Sequence, residues 1–439
     1  MSYFRKTALA ASCFVAFNCA ITSSVAKDLS PQTMATSVEQ DVIEWRRHFH
    51  QHPELSNREF ETAKRIADEL KQLGLEVQTG IAHTGVVAVL DSGKPGPVVA
   101  LRADIDGLPV KEISGLPFAS KAVGEYNGQQ VPVMHACGHD THIAMLLGTA
   151  KMLSQHKELL TGKVKFIFQP AEEGAPAGEE GGAELMVKQG VMKKPDVDVV
   201  FGVHIWSNLE AGKISYKPGG TLAAVDTFKI VVKGKQAHGA YPWKSVDPVV
   251  TSAQIIMGLQ TIVSRELELI EEAAVVTVGS IHGGVRSNII PNEVEIVGTL
   301  RSLNPEMREH IREAVKRKAI NIAASMGAVA EVTVPFGANY PVTYNDPALM
   351  GKMLPYLQNN LGSENVVLSK AQTGAEDFSF YQQQVPGLFL GVGGMPKGTN
   401  KEEAPAHHTP EFFVDEAGLK TGVQTLIGLT LDYMNSHQQ

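Results

Sequence analysis

135-HACGHDTHIAMLLG-148, followed further on by 166-FIFQPAEEGAPAGEEGG-182, holds the densest chemistry in the chain. Cys137 and His139 are two residues apart, so on an extended segment both side chains leave the same side of the backbone. His135 and His142 flank them. The apolar run Val164 to Phe168 reads as a buried strand, and past Pro170 two adjacent acids, Glu172 and Glu173, open a glycine-rich loop. A thiolate, imidazoles and a carboxylate suit a borderline-soft divalent cation such as zinc. A second carboxylate beside them is what an activated water needs as proton acceptor. The expectation is a metal-dependent hydrolase.

Around this stretch helical and strand patterns alternate. Val42, Trp45 and Phe49, then Ala63, Ile66 and Leu70, mark helices within 38–75. Val86–Leu90, Val98–Arg102, Lys165–Phe168 and Val197–Val203 read as strands, and Thr141–Leu153 and Gly182–Gln189 as helices. Asp104 and Asp106 lie just past a strand's C-terminal end, where open α/β sheets place their sites. The expected class is therefore α/β, a mainly parallel sheet flanked by helices. Near Gly212 the texture changes. Strands at Val225–Val232, Ala274–His282, Glu293–Leu300 and Ala328–Val334, with helices at Asp247–Arg265 and Pro305–Met326, give a β-α-β-β-α-β order. The layout expected is a discontinuous catalytic unit at 38–212 and 335–436, with an inserted α+β, ferredoxin-like unit at 213–334.

Composition agrees with a soluble globular chain: 439 residues, 43% hydrophobic and 20% charged. A formal charge of −8 argues against a nucleic-acid surface. Arg5 and Lys6, an apolar run from Ala8 to Ile21, and the small residues Ser24-Val25-Ala26 have the three parts of an export signal. Its apolar core is too short for a membrane anchor, and no later segment could span a bilayer. Cleavage near Ala26 gives a periplasmic or otherwise exported protein with no membrane attachment. It takes two of the 39 basic residues and none of the 47 acidic ones, leaving −10. Of the three cysteines, Cys13 and Cys19 go with that signal. Cys137 then has no disulfide partner, and with His139 beside it reads as a ligand. A cysteine nucleophile is the competitor, opposed by the paired acids and the lack of a Cys–His–Asn pattern.

The chain resembles the metal-dependent aminoacylase/carboxypeptidase family, in the branch of hippurate hydrolases, auxin-conjugate hydrolases and N-acetyl-diaminopimelate deacetylases. The matching segments are RADIDGLP (102–109), MHACGHDTHIAMLLG (134–148), FQPAEEG (168–174), GVHIW (202–206), KGKQAHGAYP (233–242), SNIIPNEVEIVGTLR (287–301), GAEDFSFY (374–381) and HHTPEFFVDE (407–416).

This resemblance implies a zinc-exopeptidase-like catalytic unit with a dimerisation or lid unit inserted, two divalent ions (Zn, Mn, Co or Ni) per subunit, and a homodimer. It implies Cys137, His139, Glu173, His204 and His408 as ligands, with the Cys137 thiolate bridging, and Glu172 as general base. Asp106 would orient a ligand from behind. His238, supplied by the neighbouring subunit, would hold the oxyanion, and Asn288 and Arg301 would bind substrate, Arg301 as a fork for a carboxylate. Of the two terminal histidines, spacing to Pro410 and Asp415 favours His408, leaving His407 at the surface. Asp104 stands where the wider family has a histidine ligand, and its role stays open. Glu376 and Asp377 support the site or form a turn. Trp206, Tyr241 and Trp243 are candidates for lining the acyl pocket. The activity implied is hydrolysis of an N-acyl amino acid to a carboxylic acid and an amino acid. A dipeptidase or carboxypeptidase, or a periplasmic binding protein without turnover, are the alternatives.

Overall fold

A computed structural model of the chain describes residues 1–2, 29–337 and 339–437; all three parts of the expected export signal, Arg5-Lys6, Ala8 to Ile21 and Ser24-Val25-Ala26, lie outside the described residues. Helix α1 (Pro31–Gln51) starts where Ser30 accepts the Thr33 amide at 3.3 Å and Pro31 supplies a helical φ. It buries Val38, Val42, Trp45 and Phe49 on one face, and α2 (Phe60–Gln72) buries Ala63, Ile66 and Leu70. Next come β1 (Glu76–Ile81), β2 (Gly85–Asp91) and β3 (Val98–Asp104). A hairpin of β4 (Val123–Tyr126) and β5 (Gln129–Pro132) turns at Asn127-Gly128, both at positive φ. Then follow α3 (His139–Gln155), β6 (Lys163–Gln169), α4 (Gly182–Lys188), β7 (Val199–Glu210), β8 (Ile214–Tyr216) and β9 (Gly219–Leu222).

The middle of the chain supplies β10 (Ala224–Lys233), β11 (Ala237–His238), α5 (Pro248–Glu266), β12 (Ala274–Gly283), β13 (Ile289–Ile290), β14 (Glu293–Ser302), α6 (Pro305–Ser325) and β15 (Val329–Thr333). The chain then returns through β16 (Thr343–Asn345), α7 (Pro347–Leu361), β17 (Val366–Leu368), α8 (Ser379–Gln382), β18 (Gly387–Met395) and α9 (Leu419–Ser436).

The larger sheet runs β1-β2-β6-β3-β7-β18-β8-β17. Its centre, β6-β3-β7-β18, is parallel, whereas β1, β2 and β8 join antiparallel. Central strands are buried on both faces, so β18, the first four residues of β3 and Phe166–Phe168 of β6 read as unbroken apolar runs. Helices α1, α3 and α9 cover one face around Phe49, Leu147 and Leu426. Met186 of α4 and Tyr381 of α8 pack with Phe378 and Phe389 on the other.

A smaller antiparallel sheet, β12-β14-β10-β15, carries α5 and α6 over a separate core of Phe228, Ile230, Ile255, Leu259, Ile296 and Val315. Its chain order is the β-α-β-β-α-β expected from the sequence. Among the described residues no helix is long and apolar enough to cross a membrane.

Candidate metal centre

The C-terminal ends of the parallel strands converge on one cluster. Cys137 and His139 are not on an extended segment. Gly138, at φ 95°, turns the chain between them, and His139 is the first residue of α3. A Cβ at Gly138 would stand 2.4 Å from Ile205 Cγ2, so the turn admits only glycine. β6 leads through Ala171 (φ 52°) to Glu172 and Glu173, β7 delivers His204, and the loop before α9 delivers His408.

Ligand-type atoms of Cys137, His139 and His204 lie within 4.8 Å of one another, and so do those of Cys137, Glu173 and His408. Cys137 belongs to both groups. His139, Glu172 and Glu173 form a third at the same spacing. Two imidazoles are oriented from behind. His139 Nδ1 meets Asp106 Oδ1 at 3.3 Å, and His204 Nδ1 donates to the Ile205 carbonyl at 2.7 Å. Each ring thereby turns Nε2 inward, as ligating histidines do. His204 Nε2 is 3.5 Å from Cys137 Sγ, and the buried His139 Nε2 has no hydrogen-bond partner among the described residues. Asp106 also accepts the Ser56 hydroxyl at 2.8 Å and the Glu173 amide at 3.1 Å, so one carboxylate steadies both groups. His408 is exposed, with Nε2 3.1 Å from Glu173 Oε1.

The electrostatics call for a cation. Burial, with Glu173, Glu172 and Asp104, pushes the Cys137 thiol well above its ordinary value, so a thiolate here needs positive charge beside it. Burial, with His142 and His407 adding to it, holds His204 well below its ordinary value and leaves a neutral ring with a lone pair to give. Burial opposes protonation of His139, but Asp104, Asp106 and Glu173 outweigh it and push the ring up to about 10. Burial pushes Glu172 well up, and Glu376, Glu173, Asp377 and Asp104 push the same way. The residues present fit a pair of divalent cations: soft and hard donors, one shared thiol, an orphaned inward nitrogen and surplus carboxylates.

Behind the cluster lies a buried guanidinium that the sequence reading left without a role. Arg102 binds Asp104 Oδ2 at 2.7 Å, Glu376 Oε1 at 2.8 Å, Asp377 Oδ1 at 2.9 Å and Gln169 Oε1 at 2.8 Å. That answers what Asp104, Glu376 and Asp377 do: they share one cation, and Asp104 also takes His142 Nδ1. Tyr340, likewise unassigned, donates its hydroxyl to the Glu172 carbonyl at 2.9 Å.

His407 requires a correction. It is half-buried rather than at the surface, packed between His204, Trp206 and Phe412, with Nδ1 3.8 Å from Cys137 Sγ. Burial, chiefly, lowers it to about 3. Its sequence neighbours, Ala406 and His408 within a proline-flanked loop, give no sign of this, because tertiary packing alone covers it.

The remaining expected residues lie apart. Arg301 is half-buried on β14, with Nη1 3.4 Å from the Thr373 carbonyl, on the segment leading to Glu376. His238 and Asn288 are exposed neighbours at β11 and β13, where Gly239 N donates to Asn288 O at 2.8 Å. Among the described residues no hydrogen bond or ion pair joins either side chain to the cluster. Trp206 stacks on His204 at 4.3 Å, whereas Tyr241 and Trp243 stand exposed beside His238. On the Glu173 side a cleft of about 530 Å³ opens between Leu55, Leu108, Pro109, Tyr126 and Pro176.

A mainly parallel α/β sheet with two ligand groups joined at one cysteine defines the class: an α/β metallohydrolase. The family follows from comparison with known proteins. Residues 100–432 match peptidase family M20/M25/M40, and the chain belongs to it. It is 39% identical over 401 residues to thermostable carboxypeptidase 2 of Saccharolobus solfataricus, covering 91% of this chain and 96% of that one. It is 39% identical to N-acetylcysteine deacetylase of Bacillus subtilis, covering 87% and 94%. The crystal structure of Bacillus subtilis YXEP, described as a dinuclear metal binding peptidase of the M20 family, superposes with a TM-score of 0.74 at 35% identity, covering 91% and 99%.

Proposed function

We propose that this protein is a binuclear metal-dependent amidohydrolase that cleaves N-acyl amino acids to a carboxylic acid and an amino acid. The observation that carries the reading is Cys137, shared by two ligand groups, with the spare acid Glu172 beside them. When bound, a pair of divalent cations supplies Lewis acidity, polarising the amide carbonyl and acidifying water. Glu172 takes the proton from the attacking water and returns it to the leaving nitrogen as the C–N bond breaks, a task for which a raised carboxyl is suited. Arg301 pairs with the substrate carboxylate, and Asn288 and His238 complete the site, His238 donating to the oxyanion. The cleft beside Glu173 offers room for the acyl group.

Among the described residues no hydrogen bond or ion pair ties His238 to its own chain's cluster; its side chain is exposed and its ring neighbour is Tyr241. This supports a homodimer in which the smaller sheet brings His238 to the partner's centre. The exposed Val249, Val250, Met257 and Val275 on that unit support the same arrangement. Residues 1–26 fit an export signal, so the proposed location is the periplasm, checked by N-terminal sequencing of the mature protein.

The carboxypeptidase relative favours a second reading, the same centre acting on a peptide bond. One panel separates the two. Acetyl-, benzoyl- and indolyl-acyl amino acids are assayed beside dipeptides with Mn, Zn or Co added. N-acyl amino acids are expected to turn over fastest, and Glu172→Gln to lower kcat by about 10²- to 10⁴-fold with metal content unchanged. Full activity in Glu172→Gln removes it from this role, and metal uptake without turnover of any substrate leaves a binding protein.

A further inference from the structure

Strand β7 loses its β3 neighbour after Gly202, whereas β18 stays alongside to Trp206 and, past a register shift, to Glu210. The Val200 amide points toward β18, donating to the Pro386 carbonyl at 3.1 Å. Alternation along the strand therefore turns the Ile205 and Ser207 amides to the side that β3 has left. Imidazoles take both. Ile205 N donates to His142 Nε2 at 2.8 Å, and Ser207 N to His407 Nε2 at 3.2 Å. A ring nitrogen that accepts an N–H carries no proton, so each neutral ring holds its proton on Nδ1. In His142 that nitrogen meets Asp104 Oδ1. In His407 it faces Cys137, whose Sγ is 3.8 Å away. Neither ring has a lone pair left for a metal.

We propose that His407 is a positioning residue of the metal centre: fixed by the Ser207 amide, it donates an Nδ1–H···S hydrogen bond to the Cys137 thiolate and does not bind metal itself. The inference rests on the reading of Cys137 as the shared ligand. A hydrogen bond to a ligand sulfur lowers its lone-pair energy and directs the pairs that remain toward the cations. Rings of His204, Trp206 and Phe412 hold the imidazole in place, with centroids at 5.4, 5.4 and 4.7 Å.

The test uses the full-length protein loaded with cobalt(II). The sulfur-to-cobalt charge-transfer band and the metal affinity, by chelator competition, are measured for wild type, His407→Leu, His407→Phe and His407→Gln. Phenylalanine fills the same slot without an N–H, so it serves if the leucine variant does not fold. Glutamine can accept from Ser207 and still offer an N–H to sulfur. The two donor-less variants are expected to move the band to lower energy and to weaken cobalt binding about tenfold or more, with His407→Gln recovering most of both. A folded donor-less variant with an unmoved band overturns the proposal. Loss of one equivalent of cobalt from all three variants also overturns it, because the ring is then a ligand. A wild-type protein that binds cobalt without any thiolate band sinks the shared-cysteine reading and this inference together, whereas a normal band that ignores residue 407 sinks this inference alone.

Discussion

Glu59 is fully buried behind Asp106, accepting the Thr84 hydroxyl at 2.6 Å and the Ala171 amide at 2.9 Å. The second bond holds the turn that presents Glu172 and Glu173. Burial first, then the charge on Asp106, raises its carboxyl from 4.5 to about 8. The folded state therefore keeps a proton that the unfolded chain releases above 4.5. The associated stability is complete below about pH 4.5 and is lost as pH rises toward 8, at about 1.4 kcal/mol per unit. Urea unfolding of metal-free wild type and Glu59→Gln at pH 5.5 and 7.5 should show wild type losing about 2–3 kcal/mol more than the variant between the two. Parallel behaviour of the two proteins would mean that Glu59 is ionised throughout. Glu59 was not legible in the sequence, where it is one acid among polar neighbours. Cys137, His139, Glu172 and Glu173 were legible, because their chemistry sits at short spacing along the chain. Arg102 and His407 were not: one is a cation inside a strand, the other an imidazole packed against His204 and Trp206, about 200 residues away in sequence.

The starts of α5 and α6 were read closely, whereas α1 begins seven residues before the expected 38 and α7 was not expected. In Asp247-Pro248, Asn304-Pro305 and Asp346-Pro347 the first side chain caps an amide and the proline opens α5, α6 or α7. Strand β10 alternates buried and half-buried residues, which shows as a period of two in its sequence. Strand β1 escaped notice because its side chains are mostly exposed and carry no such pattern. What no pattern shows is how α6 is fixed to β10. Asp226, 1% exposed, accepts Arg308 Nε and Nη2 at 2.8 Å each and Arg312 Nη2 at 2.9 Å. Asp226→Ala leaves the buried Arg308 without its main partner, at a cost of about 3–5 kcal/mol. Because the smaller sheet has its own core, the variant should unfold that unit at lower denaturant while the cobalt spectrum of the metal centre persists. A single transition unmoved from wild type would show that the pairing adds nothing to stability.

At the scale of the molecule, the centre and the residues proposed to serve it sit on different sheets. Cys137, His139, Glu172, Glu173 and His204 ride on the larger one, and His238 on the two-stranded β11-β13 pairing beside the smaller. With no hydrogen bond or ion pair between His238 and the cluster of its own chain among the described residues, the proposed dimer makes a prediction that a monomeric enzyme does not. Glu172→Gln and His238→Ala are each expected to be nearly inactive as pure dimers. In a mixed dimer, one site combines an intact Glu172 with the partner's intact His238, while the other site lacks both. Unfolding and refolding the two variants together at equal amounts gives random pairing, so about a quarter of wild-type activity should return. The gain should depend on co-refolding and be absent when the folded variants are mixed briefly. If co-refolding restores nothing, His238 acts within its own chain after a movement of the smaller sheet, or takes no part in the reaction.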